Sequence, residues 1–370
     1  MEIRRDMNKP FCYAPWTTIQ YSGVYSGGGT SPCCEWRGEK YKGKVKDYQD
    51  SEYLDKIKLA METHDTSFIA FSCQECINTE SHGILSARNF IDKNVKNNKY
   101  EIGKINKLDY RPDNLCNLKC RMCSPSSSSL IEEERVLHNL IKPIEKRDTN
   151  DVLDFDLSSL RHLAILGGEP TVNKNLFPIL DYFIETGMTE TVRLQYTTNC
   201  TSVNNPWMSR VKQFKEVNIN LSLDGAGKSY EYIRTGAKWY NVEKNIHKII
   251  KSANNYSINM CIQMVNFVLV EDWIEYFFQF DSDKVHMNPM FGAVPGKVDC
   301  IPDDIREQKI EYLQSLKHPI SDKLVDRFKN YKFNINELIR YKEFNSWHDN
   351  IRNTNLLDLD PIFSKILTMV

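Results

Sequence analysis

"KLDYRPDNLCNLKCRMC", residues 107–123, runs from a short strand-like stretch straight into three cysteines, Cys116, Cys120 and Cys123. "KLDY" reads as a strand, the cysteines as a loop, and residues 128–142, after the serines of "SPSSSS" (124–129), as a helix. Outward from this stretch the pattern repeats. "RHLAIL" (161–166), "TVRLQYTTN" (191–199), "VNINLSLDG" (217–225), "INMCIQMVN" (258–266) and "KVHMNPM" (284–290) read as strands, and helical patterns cover 175–187, 206–214, 240–253 and 270–280. Six strands alternating with helices predict an α/β fold with a parallel sheet, open or part of a β/α barrel. In such folds chemistry collects at the carboxyl ends of the strands.

Composition narrows the function. The chain has 370 residues, 48 Lys plus Arg against 49 Asp plus Glu, and a formal charge of −1, which argues against a long nucleic acid as partner. No run of about 18 apolar residues predicts a membrane span. The start, "MEIRRDMNKPFCYAPW", lacks the apolar segment of a secretory signal, so a cytoplasmic, reducing location is expected. Disulfides are not expected there, and eleven cysteines then point to metal or catalysis. A closed structural zinc site wants four ligands, and no fourth Cys or His follows Cys123 nearby. Three thiolates from one tight loop can instead hold three irons of a 4Fe–4S cubane and leave the fourth open to a ligand that is not protein.

The loop resembles the CxxxCxΦC signature of the radical S-adenosylmethionine (radical SAM) enzymes, with Met122 at the Φ position, where the family commonly has an aromatic. The resemblance implies a partial (β/α)6 TIM-like barrel and a 4Fe–4S cluster on Cys116, Cys120 and Cys123. It also implies S-adenosylmethionine on the open iron, with the backbone at Met122 facing adenine. Three further stretches match the family where strands end. "GGEP" (Gly167, Gly168, Glu169, Pro170) would meet the amino group of S-adenosylmethionine. Asn199 in "TTN" stands where a TNG-like motif is common, with Cys200 in place of the glycine. Ser222 in "LSLDG" and Arg234 match residues that hold ribose and carboxylate in the peptide-modifying branch.

The first eighty residues add a second group. Cys12, Cys33, Cys73 and Cys76 resemble the shortened SPASM, or twitch, auxiliary-cluster module, here ahead of the barrel and not behind it. The resemblance implies a second, auxiliary 4Fe–4S cluster. Four cysteines with a CxxC also make a zinc site, and Cys34 is an alternative to Cys33. The expected organisation is a small α+β iron–sulfur module over 1–95, the barrel over 106–300 and a helical C-terminal extension over 301–370, with a polar linker near 92–105. The implied reaction is reductive cleavage of S-adenosylmethionine to a 5′-deoxyadenosyl radical that abstracts hydrogen from a peptide or protein side chain. The electron would come from a flavodoxin- or ferredoxin-type donor, and a leader peptide would need a separate peptide-binding partner protein. A small molecule or nucleoside is the alternative substrate, and a non-catalytic iron–sulfur or zinc protein is the alternative of another class. Cys261 reads as core packing, Cys200 as a pocket wall, and Cys300 as a candidate hydrogen donor to a substrate radical.

Overall fold

The computed structural model describes residues 11–24, 28–81, 85–290 and 294–370. Ten strands occur among them: β1 (Thr18–Ser22), β2 (Gly29–Ser31), β3 (Lys107–Arg111), β4 (Lys119–Cys120), β5 (His162–Ile165), β6 (Arg193–Thr198), β7 (Glu216–Ser222), β8 (Arg234–Thr235), β9 (Asn255–Ile262) and β10 (Val285–Pro289). Eight form one open, mostly parallel sheet in the order β10-β9-β7-β6-β5-β3-β1-β2. The fold class is α/β, as expected, and all six strands expected from the sequence are present. No helix among the described residues is long and apolar enough to cross a membrane.

The chain divides into two compact units. One comprises Met1–Cys116, Pro125–Tyr196 and Asn205–Val217, the other Asn117–Ser124, Thr197–Asn204 and Asn218–Val370.

In the first unit β1, β3, β5 and β6 run parallel, with Tyr21, Tyr110, Ile165 and Tyr196 in register. These and their alternate neighbours Ile19, Leu108, Leu163 and Leu194 are buried on one face, the period-2 signal that made β3, β5 and β6 readable. The opposite face carries polar groups that satisfy one another. Lys107 Nζ reaches Asp109 Oδ1 at 2.6 Å, and His162 Nε2 lies 3.0 Å from Gln195 Oε1. β2 folds back antiparallel on β1; residues 25–27 between them lie outside the described residues. β1 also pairs in parallel with β3 over five residues, so the N-terminal stretch extends the same sheet.

Two sequence expectations need correction in this unit. Residues 92–96 belong not to a linker but to the helix Ala87–Lys96, started by a Ser86–Asn89 capping box. Its lysines made it look like a linker, but Lys93 and Lys96 complement the helix C-terminus while Arg88, Ile91 and Asn94 are buried. The helix expected over 128–142 ends at Leu137, and Asn139 takes a left-handed φ of 56°. Elsewhere Ser51 caps Glu52–Glu62, and Leu54, Ile57, Ala60 and Met61 give that helix its buried face.

In the second unit β7, β9 and β10 run parallel. Ile219, Leu221, Ile258, Met260, Ile262, Val285 and Met287 are buried on one face. Asn218, Asn220, Ser222, Ser257, Asn259 and Cys261 alternate with them. β9 stops at Ile262, and the expected strand residues beyond it enter the short helix Met264–Val268. The α-helix expected over 270–280 is instead two 3-10 turns, Val270–Asp272 and Ile274–Gln279. Trp273 separates them because its buried indole N–H donates to Asn266 O at 2.7 Å. The C-terminal extension is helical as expected, with Ile335–Arg352 its longest helix.

Candidate active site

The loop after β3 is built tightly at its start. Ser128 caps the following helix by accepting from Ile131 N–H, and the Ser129 hydroxyl both accepts from Cys116 N–H at 3.3 Å and donates to Cys116 O at 3.4 Å. Asn114 donates to Pro125 O at 2.8 Å and to Glu132 Oε2 at 2.7 Å, closing the loop on the helix. The serines after the cysteines therefore hold the first cysteine in place.

The turn after β5 packs against the same point. Gly167 and Gly168 have φ of 81° and 55°. A Cβ on Gly168 would stand 2.0 Å from Leu115 O, and Glu169 N–H donates to that oxygen at 2.8 Å. The Glu169 carboxylate is buried and accepts from the Thr171 hydroxyl at 2.7 Å. The two glycines thus let the GGEP backbone touch the residue before Cys116.

In the second unit Cys123 N–H donates to Cys120 O at 3.1 Å, and half-buried Met122 sits inside that turn. β4 pairs antiparallel with β8 so that Cys120 faces Arg234. Arg234 Nη1 lies 3.9 Å from Cys120 Sγ, and Arg234 Nη2 lies 2.8 Å from Asp224 Oδ2. A hydrogen bond from the Cys123 side chain and the nearby Arg234 charge hold the Cys120 thiol below its ordinary range, against the effect of burial. Burial pushes the Asp224 carboxyl up, and Arg234 opposes it.

Asn199 Nδ2 donates to Asn117 Oδ1 of the cysteine loop at 3.1 Å. Cys200, where the family's glycine would fall, adopts a φ of 61°, so the left-handed turn survives the substitution. Its side chain is fully buried. Ser222 is half-buried at the end of β7. Cys300 is also fully buried. Cys261, read as core, is half-buried on the polar face of β9, and its backbone N–H donates to Asp224 Oδ1 at 2.7 Å.

The N-terminal cysteines gather in the first unit. Cys12, Cys33, Cys73 and Cys76 all line one cavity, with Phe11, Trp36, Met61 and Ile91 among its apolar walls. Burial pushes all four thiols up, Cys73 to about 12. Cys34 is not in that wall; its thiol lies instead by Asp109 and Lys107. Cys33 is therefore the member of the pair that joins the group. Among the described residues no three His, Cys, Asp or Glu side chains converge closely enough to hold a single metal ion.

Sequence reasoning passed over two contributors. Asp224 lies inside the quoted "LSLDG", a carboxylate placed just after buried leucines. Arg121 lies between two motif cysteines and is almost fully buried. Its guanidinium stacks 3.8 Å from the Tyr232 ring and bonds Tyr232 O, Asn345 Oδ1, Asp349 Oδ1 and Thr354 Oγ1 at 2.6–3.1 Å.

The first unit thus combines a parallel sheet, the start of the cysteine loop after β3 and a tight glycine turn after the neighbouring β5. Residues 110–276 match the family model described as Radical SAM superfamily. No curated protein matches it in sequence. Among solved structures it is similar to "Native anSMEcpe with bound AdoMet", at 18% identity over 57% of this chain and 59% of that one, with a TM-score of 0.38. It is also similar to Streptococcus suis SuiB bound to S-adenosylmethionine, at 15% identity over 76% of this chain and 66% of that one, with a TM-score of 0.36. SuiB bound to its precursor peptide SuiA gives 14% identity over the same shares and a TM-score of 0.35. The chain spans about three-fifths of the first of these structures.

Proposed function

We propose that this enzyme cleaves S-adenosylmethionine reductively and uses the resulting 5′-deoxyadenosyl radical to take hydrogen from a peptide or protein side chain. A 4Fe–4S cluster on Cys116, Cys120 and Cys123 would supply the electron and the open iron for that chemistry. The observation that carries the reading is the turn that sets Cys120 beside Cys123 and the Arg234 guanidinium, in a loop whose thiols number one fewer than a closed site uses.

The chain's own residues then have these tasks. The GGEP turn brings Gly167, Gly168 and Glu169 next to Cys116, where a buried carboxylate suits the ammonium of S-adenosylmethionine. Met122 offers its backbone to adenine. Ser222 and Arg234 take ribose and carboxylate, and Asn199 steadies the loop through Asn117. Cys12, Cys33, Cys73 and Cys76 hold an auxiliary 4Fe–4S cluster, supported by their common cavity. A flavodoxin- or ferredoxin-type protein donates the electron, and a separate peptide-binding protein presents a leader where one is needed. We place the enzyme in the cytoplasm, where the thiols stay reduced.

A peptide is favoured over an anionic substrate by the polar face of β7 and β9. Asn220 Nδ2 donates to Thr197 Oγ1 at 3.5 Å, Ser257 Oγ to Asn220 Oδ1 at 2.8 Å, and Asn259 Nδ2 to Ser257 Oγ at 3.2 Å. This face offers uncharged donors and acceptors, which suit amides. The test is anaerobic reconstitution followed by iron and sulfide analysis, and then 5′-deoxyadenosine assay after dithionite and S-adenosylmethionine. About eight irons per chain with 5′-deoxyadenosine formed is the expected result for two 4Fe–4S clusters. About four irons with cleavage would remove the auxiliary cluster alone. No iron and no cleavage would refute the function.

A further inference from the structure

Asp224 has no task in binding S-adenosylmethionine as proposed above, yet it is a fully buried carboxylate at the end of β7. A buried charge is costly unless it is paired and hydrogen-bonded. Three contacts fix it. Its Oδ1 accepts from Cys261 N–H at 2.7 Å, its carbonyl accepts from Asn266 Nδ2 at 3.3 Å, and its Oδ2 lies 2.8 Å from Arg234 Nη2. The carboxylate is thus hydrogen-bonded to the backbone of β9 through Oδ1, and one arm of Arg234 is ion-paired with its Oδ2, which has no hydrogen bond of its own. The other arm, Nη1, lies 3.9 Å from Cys120 Sγ. The planar guanidinium fork makes the position of one arm dictate that of the other. Arg234 is buried, and its Nε has no hydrogen-bond partner among the described residues, so its named polar contacts are made through the two Nη arms.

We propose that Asp224 is a positioning residue that aims an Arg234 N–H at the Cys120 thiolate and, through it, raises the reduction potential of the cluster bound there. The inference rests on the cluster reading given above. A hydrogen-bond donor and a positive charge beside a ligating sulfur both favour the reduced cluster. An unaimed arginine would give the charge without the directed bond.

The test is a double-mutant cycle read as midpoint potential, by redox titration of the reconstituted protein followed by electron paramagnetic resonance. The signal followed is the one absent from C120A, in samples matched for iron content. Arg234→Gln is expected to lower the potential when Asp224 is present. In Asp224→Asn the same Arg234→Gln change is expected to lower it little further, because the arginine is no longer aimed. Asn at 224 can keep the Cys261 contact, which spares the fold. An equal drop in both backgrounds would overturn the proposal, and so would no drop in either. Should Asp224→Asn fail to fold, Arg234→Lys decides: lysine keeps the charge but has no fork to span carboxylate and thiolate. A drop close to that of Arg234→Gln supports aiming, and a potential equal to that of the unaltered protein overturns it. Wild-type protein that binds no iron at Cys120 refutes the cluster reading itself, a result distinct from all of these.

Discussion

Asp349→Ala tests whether the C-terminal helix is part of the cluster site. Asp349 binds Arg121 Nη2 at 2.6 Å, Tyr232 OH at 2.9 Å, Asn345 Nδ2 at 2.9 Å, Thr354 Oγ1 at 2.7 Å and Leu356 N–H at 2.9 Å. Its partner Arg121 is 2% exposed at the side chain, and water does not reach it. Removing the carboxylate leaves a buried guanidinium without its counter-charge, at a cost of about 3–5 kcal/mol. Arg121 lies between Cys120 and Met122, so much of that cost falls on the turn that carries two of the proposed cluster thiols. If ~3 kcal/mol of it lowers the cost of opening the turn, iron loss to a chelator speeds up roughly 100-fold. Urea unfolding of the metal-free protein and the rate of iron capture by a chelator measure the two quantities. The pair R121M/D349L, which removes both charges, is expected to recover most of the stability, since the loss comes from the orphaned charge and not from the missing bonds. A loss under about 1 kcal/mol in D349A, or a double variant as unstable as the sum of the singles, refutes the argument.

Other outcomes follow from single contacts. C33S is expected to lose the iron of the N-terminal group while C34S keeps it, by iron analysis against wild type, because only Cys33 lines the cavity. Gly168→Ala puts a methyl 2.0 Å from Leu115 O at a φ of 55°. The GGEP turn must move, and S-adenosylmethionine affinity measured by equilibrium dialysis should fall at least tenfold. Lys40 is buried and its ammonium is pushed down to about 7, by burial first and then by Arg111 and Lys42. Below pH 7 the folded state bears the full cost of that charge, and the cost fades as pH rises towards the unfolded lysine value of about 10.4. Lys40→Met should therefore stabilise the protein by about 2–4 kcal/mol at pH 6 and by much less at pH 10, measured by urea unfolding. A gain that does not change with pH would contradict it.

The strands were legible because one face of each is buried and the sequence alternates accordingly; Val217, Ile219 and Leu221 against Asn218, Asn220 and Ser222 is the clearest case. The cysteine loop stood out by the close spacing of its three thiols, and Cys120 and Cys123 do share one tight turn. What the sequence hid has two causes. Some elements follow tertiary demands over local pattern: Trp273 takes a backbone bond that breaks a helical stretch, and Ala87–Lys96 forms a helix under a polar composition. Other features depend on direction, which spacing does not encode. Cys33 and Cys34 are neighbours in the chain, yet one thiol joins a cavity with three others and the other turns to Asp109. Arg121 and Asp349 are 228 positions apart, and nothing local to either announces the other.

The polar face of the second unit carries a further consequence. Asparagine is a poor strand former, and β7 and β9 together bear Asn218, Asn220 and Asn259 at alternate positions. Strands that had only to pack would place branched apolar residues there, as they do on the opposite face with Ile219, Leu221 and Ile258. The stabilising burial is thus concentrated on one side of each strand, and the other side, apart from Glu216 at the start of β7, is left uncharged and able to hydrogen-bond. A sheet built this way gives up packing on the side where its strand ends deliver Ser222 and the Asp224 that holds Arg234. A surface so arranged suits a neutral, amide-bearing substrate and supports the proposal of a peptide over a phosphate-bearing one.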